Sequence, residues 1–242
     1  MKLKKIAALF MAMVMVVGAT ACGGNSDAQS ASGDGEATES TEESGGDGEL
    51  NIAYIVKAKT DEFWTSMEKG AEAYAKEAGV NLEFQAPEKE TDIEKQVQMV
   101  ENAVIKGADG IVLSVADSQA LIPSIIKANE ADIPVVLVND TIDEEALEAD
   151  GGHVETYVGI NQYDAAKLAG DYAAENITDG KICYLEGISG VKAHEDRLLG
   201  FADSVDFDVL ASQTAKCDRN EAFNVMQNVL SATPEVNVVW AI

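Results

Sequence analysis

IAYIVKAKTDEFWTSMEKGAEAYAKEAG, residues 52–79, sets a short apolar run beside a longer helical period, and that pairing decides the fold. Ile52 to Val56 is apolar or aromatic throughout, as a strand covered on both faces must be. From Asp61 to Ala78, the residues Phe63, Met67, Ala71, Tyr74 and Ala78 recur at spacings of four, four, three and four. This stripe predicts a helix packed on a sheet, with Gly79 placed to end it.

The same unit repeats outward from this stretch. Further strands are expected near Asn81 to Gln85, Gly110 to Val115 and Val135 to Asn139, with Pro134 at a strand start where its missing donor is tolerated. A second helix starts at a capping box from Thr91 to Glu94, runs with Ile93, Val97, Val100 and Val104 on one face, and stops at Gly107. Leu121, Ile122, Ile125 and Ile126 mark a third helix. Each apolar run ends in a polar residue: Lys57 after IAYIV, Ser114 after GIVL, Asn139 and Asp140 after VVLV. In an open parallel sheet those carboxyl ends face the crevice where ligands bind, so the pattern points to a small-molecule cleft.

After a loop from Thr141 to Gly152 comes a short strand, Glu155 to Gly159, and then a second βα series. Its helices are expected near Asp164 to Asn176, His194 to Val205 and Glu221 to Leu230. Its strands are expected near Lys181 to Glu186, Val209 to Thr214 and Asn237 to Ile242. The fold class is α/β, with two doubly wound parallel-sheet lobes, residues 50–160 and 161–242, meeting at a hinge and a ligand cleft. The second lobe is short for a full α/β domain, and VNVVWAI ends with no turn after it. The chain is therefore expected to be a truncated piece, with the next residues lining the cleft.

Ahead of the lobes, Lys2, Lys4 and Lys5 precede an apolar run, Ile6 to Val17, that is too short for a mature membrane span and reads as a signal peptide over residues 1–21. Ala19, Thr20 and Ala21 lead into Cys22, a tetrapeptide that resembles a bacterial lipobox, with Ala19 where Leu is usual. Lipidation of Cys22 is the expectation. Residues 22–49 form a polar tether whose part from Asn25 to Glu49 carries eight acidic side chains and no basic one. Such a segment cannot bury enough apolar surface to order itself and extends by self-repulsion. The protein is placed outside the cytoplasm, anchored to the cell membrane.

The formal net charge of −26 argues against a nucleic-acid partner. Of three cysteines, Cys22 is taken by the anchor; Cys183 and Cys217 are expected as unpaired thiols, with a bridge as the competing reading. No clustered His and Cys spacing suggests a metal site, and no cofactor motif is present. His153 and His194 are read as solvated polar positions.

Several residues carry the binding reading. Trp64 lies at the edge of the helix stripe, beside the crevice, where a flat indole suits the apolar face of a sugar ring. Phe63 has packing as its competing reading. The Lys57 ammonium must reach a carboxylate, with Asp140 and Asp61 as candidate partners, or a ligand hydroxyl. Asn139 and Asp140 can donate to and accept from vicinal hydroxyls, or open an Asx turn. Arg197 has Glu195 and Asp196 as its competing ion-pair partners.

KAKTDEFWTSMEKGAEAYAKEAGV, VVLVNDTID, GGHVETYVGINQ, AHEDRLLGF and VLASQTAKCDRNEAFNVMQNVLSATPEVNVVWAI together resemble the ribose- and allose-type substrate-binding proteins of ABC importers, over the whole span from Leu50 to Ile242. The resemblance implies the type 1 periplasmic binding protein fold, with Lys57, Asp61, Phe63, Trp64, Asn139 and Asp140 lining a sugar site. Ser114 is a further strand-end candidate, and Glu195, Arg197 and Cys217 are the candidates from the second lobe. Three positions depart from the pattern. Asn139 replaces a common aspartate, Glu195 replaces an arginine of ribose-type proteins, and Cys217 replaces the Phe or Trp that closes over the sugar.

The expected function is capture of a monosaccharide or polyol, as a monomer, for delivery to a membrane permease. The alternatives are a sensor of the same fold feeding a histidine kinase or chemoreceptor, and a binder of a non-sugar solute such as a nucleoside. An enzyme is disfavoured: there is no G-x-S-x-G and no His paired with a recognisable nucleophile.

Overall fold

The computed structural model describes residues 49–59 and 62–242. The signal peptide, the tether up to residue 48 with Cys22, and Asp61 lie outside the described residues. Within them the order is β1 (Asn51–Ile55), α1 (Glu62–Ala78), β2 (Asn81–Gln85), α2 (Ile93–Lys106), β3 (Gly110–Leu113), α3 (Ile122–Glu130), β4 (Val135–Val138), α4 (Glu144–Ala149) and β5 (Thr156–Val158). It continues with α5 (Gln162–Asn176), β6 (Lys181–Glu186), α6 (Lys192–Ala202), β7 (Asp208–Thr214), α7 (Arg219–Ala232) and β8 (Val238–Ala241).

All strands pair in parallel, in a five-stranded sheet ordered β2-β1-β3-β4-β5 and a three-stranded sheet ordered β7-β6-β8. The inner strands β1, β3 and β4 alternate their side chains between two covered faces, which is why IAYI, GIVL and VVLV read as apolar runs, whereas the edge strands β2 and β7 are more exposed and carry polar residues. On one face of the first sheet Ala53, Ile55, Ile111, Leu113, Val135 and Leu137 pack against α2, α3 and α4 through Val100, Ile122, Ile125 and Leu147. On the other, Tyr54, Val56, Val112 and Val138 pack against α1 through Trp64, Met67 and Ala71. The second sheet repeats the plan. Ile182, Tyr184 and Trp240 meet α5 and α6 on one side, and Cys183 and Leu185 meet α7 on the other. The doubly wound α/β class expected from the sequence is the one observed.

Several local expectations are corrected. The stripe of α1 is turned by about one residue: Trp64 and Ala75 are buried, whereas Phe63 and Tyr74 are 51% and 70% exposed. Phe63 is therefore not a core residue. The capping box from Thr91 to Glu94 is not formed, since α2 starts at Ile93 behind Asp92 with no side-chain cap hydrogen bond. The other end follows the expectation: Gly107 adopts φ +70° and its N–H returns to the carbonyls of Ala103 and Val104. The segment 141–152, read as a loop, contains α4, opened by Asp143 accepting from the Ala146 N–H. Among the described residues no helix is long and apolar enough to cross a membrane.

Candidate functional site

In the first sheet the order of strands reverses direction between β1 and β3, and in the second between β6 and β8. A crevice opens at the carboxyl end of such a reversal, because the connecting helices leave on opposite faces. Lys57, Ser114 and Asp140 follow β1, β3 and β4 there, and all are buried. Lys57 Nζ donates to Asp140 Oδ1 at 3.1 Å, and Asp140 Oδ2 accepts from Ser114 Oγ at 2.6 Å and from Asn139 Nδ2 at 2.9 Å. The ammonium also lies 3.5 Å from Glu90 Oε2. Glu90 turns its other oxygen, Oε1, to the indole N–H of Trp64 at 3.0 Å. Phe63 stands edge-on to that indole, with ring centroids 4.9 Å apart.

A support lies beneath these groups. The fully buried Gln96 donates to the Ser114 carbonyl at 2.7 Å and accepts from the Ala116 N–H at 2.7 Å. It thereby holds the end of β3 in place. Asn139 sits at φ +62°, a left-handed conformation that Asn tolerates better than most residues. That conformation aims its amide at Asp140 while its carbonyl accepts from Tyr157 Oη and Gln162 Nε2.

The second sheet contributes from the segments after β6 and β7. His194, in the first turn of α6, is only 6% exposed, and its Nε2 lies 3.4 Å from Lys57 Nζ. The Ile188 N–H donates to its Nδ1 at 2.9 Å. Gly187 is required by this packing, because a Cβ there would lie 2.5 Å from Nδ1. Burial, with the Lys57 ammonium beside it, pushes His194 down to about 4. Cys217 follows β7 at φ +54° and brings its Sγ to 4.0 Å from His194 Nε2. Desolvation of the thiol, then the charge of Glu90, push it up to about 11, although the residue as a whole is exposed. A groove of about 450 Å³ lined by Lys89, Glu90, Thr91, Lys216, Cys217 and Asp218, among others, opens alongside.

Ser118 joins the two sides through its backbone and hydroxyl. Its N–H donates to the Gly190 carbonyl, and its Oγ accepts from the Lys192 N–H while donating to the Thr141 carbonyl.

Glu90, His194 and Cys217 are the one trio of metal-ligating side chains whose ligand atoms lie within 4.8 Å of one another among the described residues. Lys57 places its ammonium beside two of them, 3.5 Å from Glu90 and 3.4 Å from His194. One positive charge thus already stands beside two of the three ligand atoms.

Residues 52–242 match the model of the periplasmic binding protein domain. The chain belongs to that family. Among curated proteins this periplasmic binding protein chain is 34% identical over 194 residues to the ribose import binding protein of Escherichia coli, covering 78% of the chain and 62% of the relative. It is 31% identical over 196 residues to the D-ribose/D-allose-binding protein of Pseudomonas aeruginosa, covering 78% and 61%. A solved ABC transporter periplasmic solute binding protein from Actinobacillus succinogenes with bound D-allose superposes with a TM-score of 0.71 at 36% identity, covering 80% of this chain and 69% of that one. The chain thus spans about three fifths of the length of the curated relatives it matches.

Of the residues singled out in the sequence of this periplasmic binding protein, Lys57, Trp64, Ser114, Asn139, Asp140 and Cys217 converge, and Phe63 stands against Trp64. Glu195 does not join them: it is exposed and lines a separate groove with Asp117 and Lys192. Arg197 does not pair with Glu195 or Asp196. Its Nε donates to Gln162 Oε1 at 2.8 Å, and it reaches Asn139 only through that glutamine; Asp196 pairs with Lys192 instead. Cys183 and Cys217 are both free thiols.

Three contributors were not anticipated. His194 is buried in the cluster rather than solvated, whereas His153 is exposed as expected. Glu90 lies in a polar loop without periodicity, and Gln162 in the first turn of a helix. The one available signal was proximity in sequence to strand ends, which many polar residues share.

Proposed function

We propose that this chain is the ligand-capturing part of an extracytoplasmic solute-binding lipoprotein that takes a monosaccharide or polyol and hands it to an ABC permease. The observation that carries the reading is the make-up of the cluster at the strand ends. Two carboxylates, one ammonium, one imidazole and one amide converge beside an aromatic pair, so donors and acceptors alternate within reach of one small polyhydroxylated molecule. The relatives named for ribose and allose, and the solved relative holding D-allose, support the same ligand class.

Capture works by closure. Residues 50–160 and 161–242 act as two lobes, and ligand contacts drawn from both favour the closed arrangement over the open one, with 159–161 as part of the hinge. Lipidation at Cys22 holds the receptor at the membrane, and the acidic segment up to Glu49 gives it reach to its permease. It works as a monomer and carries no cofactor. Its chemistry is binding rather than catalysis: a thiol near 11 is protonated at neutral pH, and a histidine near 4 is already neutral, so the Cys217 and His194 pair lacks the activated thiolate a nucleophile needs.

The test is a thermal-shift screen of the full-length mature protein against pentoses, hexoses, polyols, nucleosides and amino acids. A rise in Tm confined to one sugar or polyol supports the reading, because selective binding to the native state raises stability. A rise with a nucleoside or amino acid alone overturns the ligand class.

A further inference from the structure

The imidazole of His194 poses a hydrogen-bonding problem that the protein does not solve by itself. A neutral imidazole has one donor and one acceptor nitrogen. The Ile188 N–H donates to Nδ1 at 2.9 Å, which assigns the acceptor to Nδ1 and the proton to Nε2. The opposite tautomer would have only the Ile188 carbonyl at 3.4 Å as its acceptor and would set two N–H groups against each other. With its proton on Nε2, the ring aims a donor at a second donor, the Lys57 ammonium, 3.4 Å away. Cys217 Sγ, a weak acceptor, is long at 4.0 Å. His194 is 94% buried by its 6% exposure, so solvent does not relieve the conflict. An unmet buried donor is costly, and a ligand that meets it gains that much binding.

We propose that His194 reads the ligand: its Nε2–H and the Lys57 ammonium together donate to one hydroxyl oxygen of the bound molecule, whose own proton is donated in a hydrogen bond to Glu90. An oxygen at about 2.9 Å from each nitrogen fits at the apex of a triangle on their 3.4 Å separation. The charges set the class of that oxygen. The Lys57 ammonium already faces two carboxylates, Glu90 and Asp140, so a ligand carboxylate would add a further negative charge to a buried site, whereas a neutral hydroxyl does not. Glu90 retains capacity to accept, because Oε2 has only the 3.5 Å contact with Lys57. The contact therefore comes from the position before Glu195 in AHEDR, and neither Glu195 nor Arg197 supplies it directly.

This inference rests on the proposed function, and the experiment separates the two. Calorimetry on the full-length protein is run with D-ribose, D-allose, D-fructose and myo-inositol, then with the monodeoxy analogues of whichever binds. His194→Asn keeps an acceptor where Nδ1 stood, for the Ile188 N–H, and removes the donor at Nε2. His194→Gln places an amide N–H near the Nε2 position. The expected result is a loss of about fivefold to tenfold in affinity for His194→Asn, recovered to within about threefold by His194→Gln. One deoxy analogue should lose at least as much with the unaltered protein, and its loss with His194→Asn should be smaller, because only the Lys57 and Glu90 contacts then remain to be lost. Equal affinities for the unaltered and His194→Asn proteins would overturn the role of His194 while leaving the receptor reading intact. If the unaltered protein binds none of the four compounds and no sugar or polyol of the wider screen, both fall.

Discussion

At the carboxyl end of the first sheet, Lys57, Ser114, Asn139 and Asp140 satisfy one another, whereas the groups brought by the second sheet, His194 and Cys217, satisfy each other poorly. The Asp140 carboxylate already accepts three hydrogen bonds, and Gln96 braces the strand end behind it. The His194 imidazole holds one firm hydrogen bond, to the Ile188 N–H, and faces a donor and a distant sulfur with its other nitrogen. On the proposed binding role, one half of the site is built before a ligand comes and the other is left to be completed by it. Preorganisation of the charged half lowers the cost of binding, and the unmet half supplies discrimination.

The strongest way to break this contrast is to remove the ammonium from the finished half. Lys57→Met leaves Asp140, fully buried, without its cation, and should cost about 3–5 kcal/mol in denaturant unfolding and abolish ligand binding. A cost below about 1 kcal/mol would show that the charged half is not locked.

Acid should act next, and on the other half. Burial and Lys57 hold His194 in the folded protein at about 4, below its ordinary 6.5. Its folded pKa is depressed, so between these values the unfolded chain binds the proton that the folded one refuses. The contribution is complete above pH 6.5 and drains away as pH falls toward 4, by on the order of 3 kcal/mol. Unfolding free energies across that window, compared between the unaltered protein and His194→Asn, isolate this slope from the carboxylates, including Glu90 and Asp140, that face the same ring. Identical slopes would mean that the histidine is not held neutral by its surroundings.

A smaller effect sharpens the contrast at its border. Trp64→Phe keeps the apolar bulk against Met67 and the sheet but deletes the indole N–H that Glu90 accepts. A loss of about 1 kcal/mol in stability is expected, read as a drop in Tm. The smallest effect belongs to Cys217→Ala, expected within about 0.5 kcal/mol because the residue is exposed. In the unaltered protein its thiol, pushed up to about 11, should react with a disulfide reagent at pH 8 about tenfold or more slower than an ordinary exposed thiol.

How much of this was legible in advance depended on whether the deciding physics was local. Strand β1 and the residue after it could be read because Ile52 to Val56 has no polar position on either face, so Lys57 had to leave the sheet. The partner of Lys57 was half legible: Asp140 ends a neighbouring strand of the same kind, but Glu90 lies in an irregular loop after β2 and carries no periodic signal. The phase of α1 was misread because adjacent Phe63 and Trp64 are both apolar, and a period of 3.6 fits either one to the stripe. Helix α4 is only six residues long, too short to show a period, although Asp143 offered a cap.

By itself, then, the chain determined its parallel α/β layering, its alternation of strands and helices, the polar residues at the strand ends and its family, because burial on two faces and the turn between strand and helix are imposed residue by residue. Only the tertiary structure decided that His194 is buried and neutral, that Arg197 spends itself on Gln162, and that Cys217 closes over Glu90 and His194. Those outcomes depend on how the carboxyl ends of two sheets meet, and a meeting between segments 137 residues apart, as for Lys57 and His194, leaves no trace in local spacing.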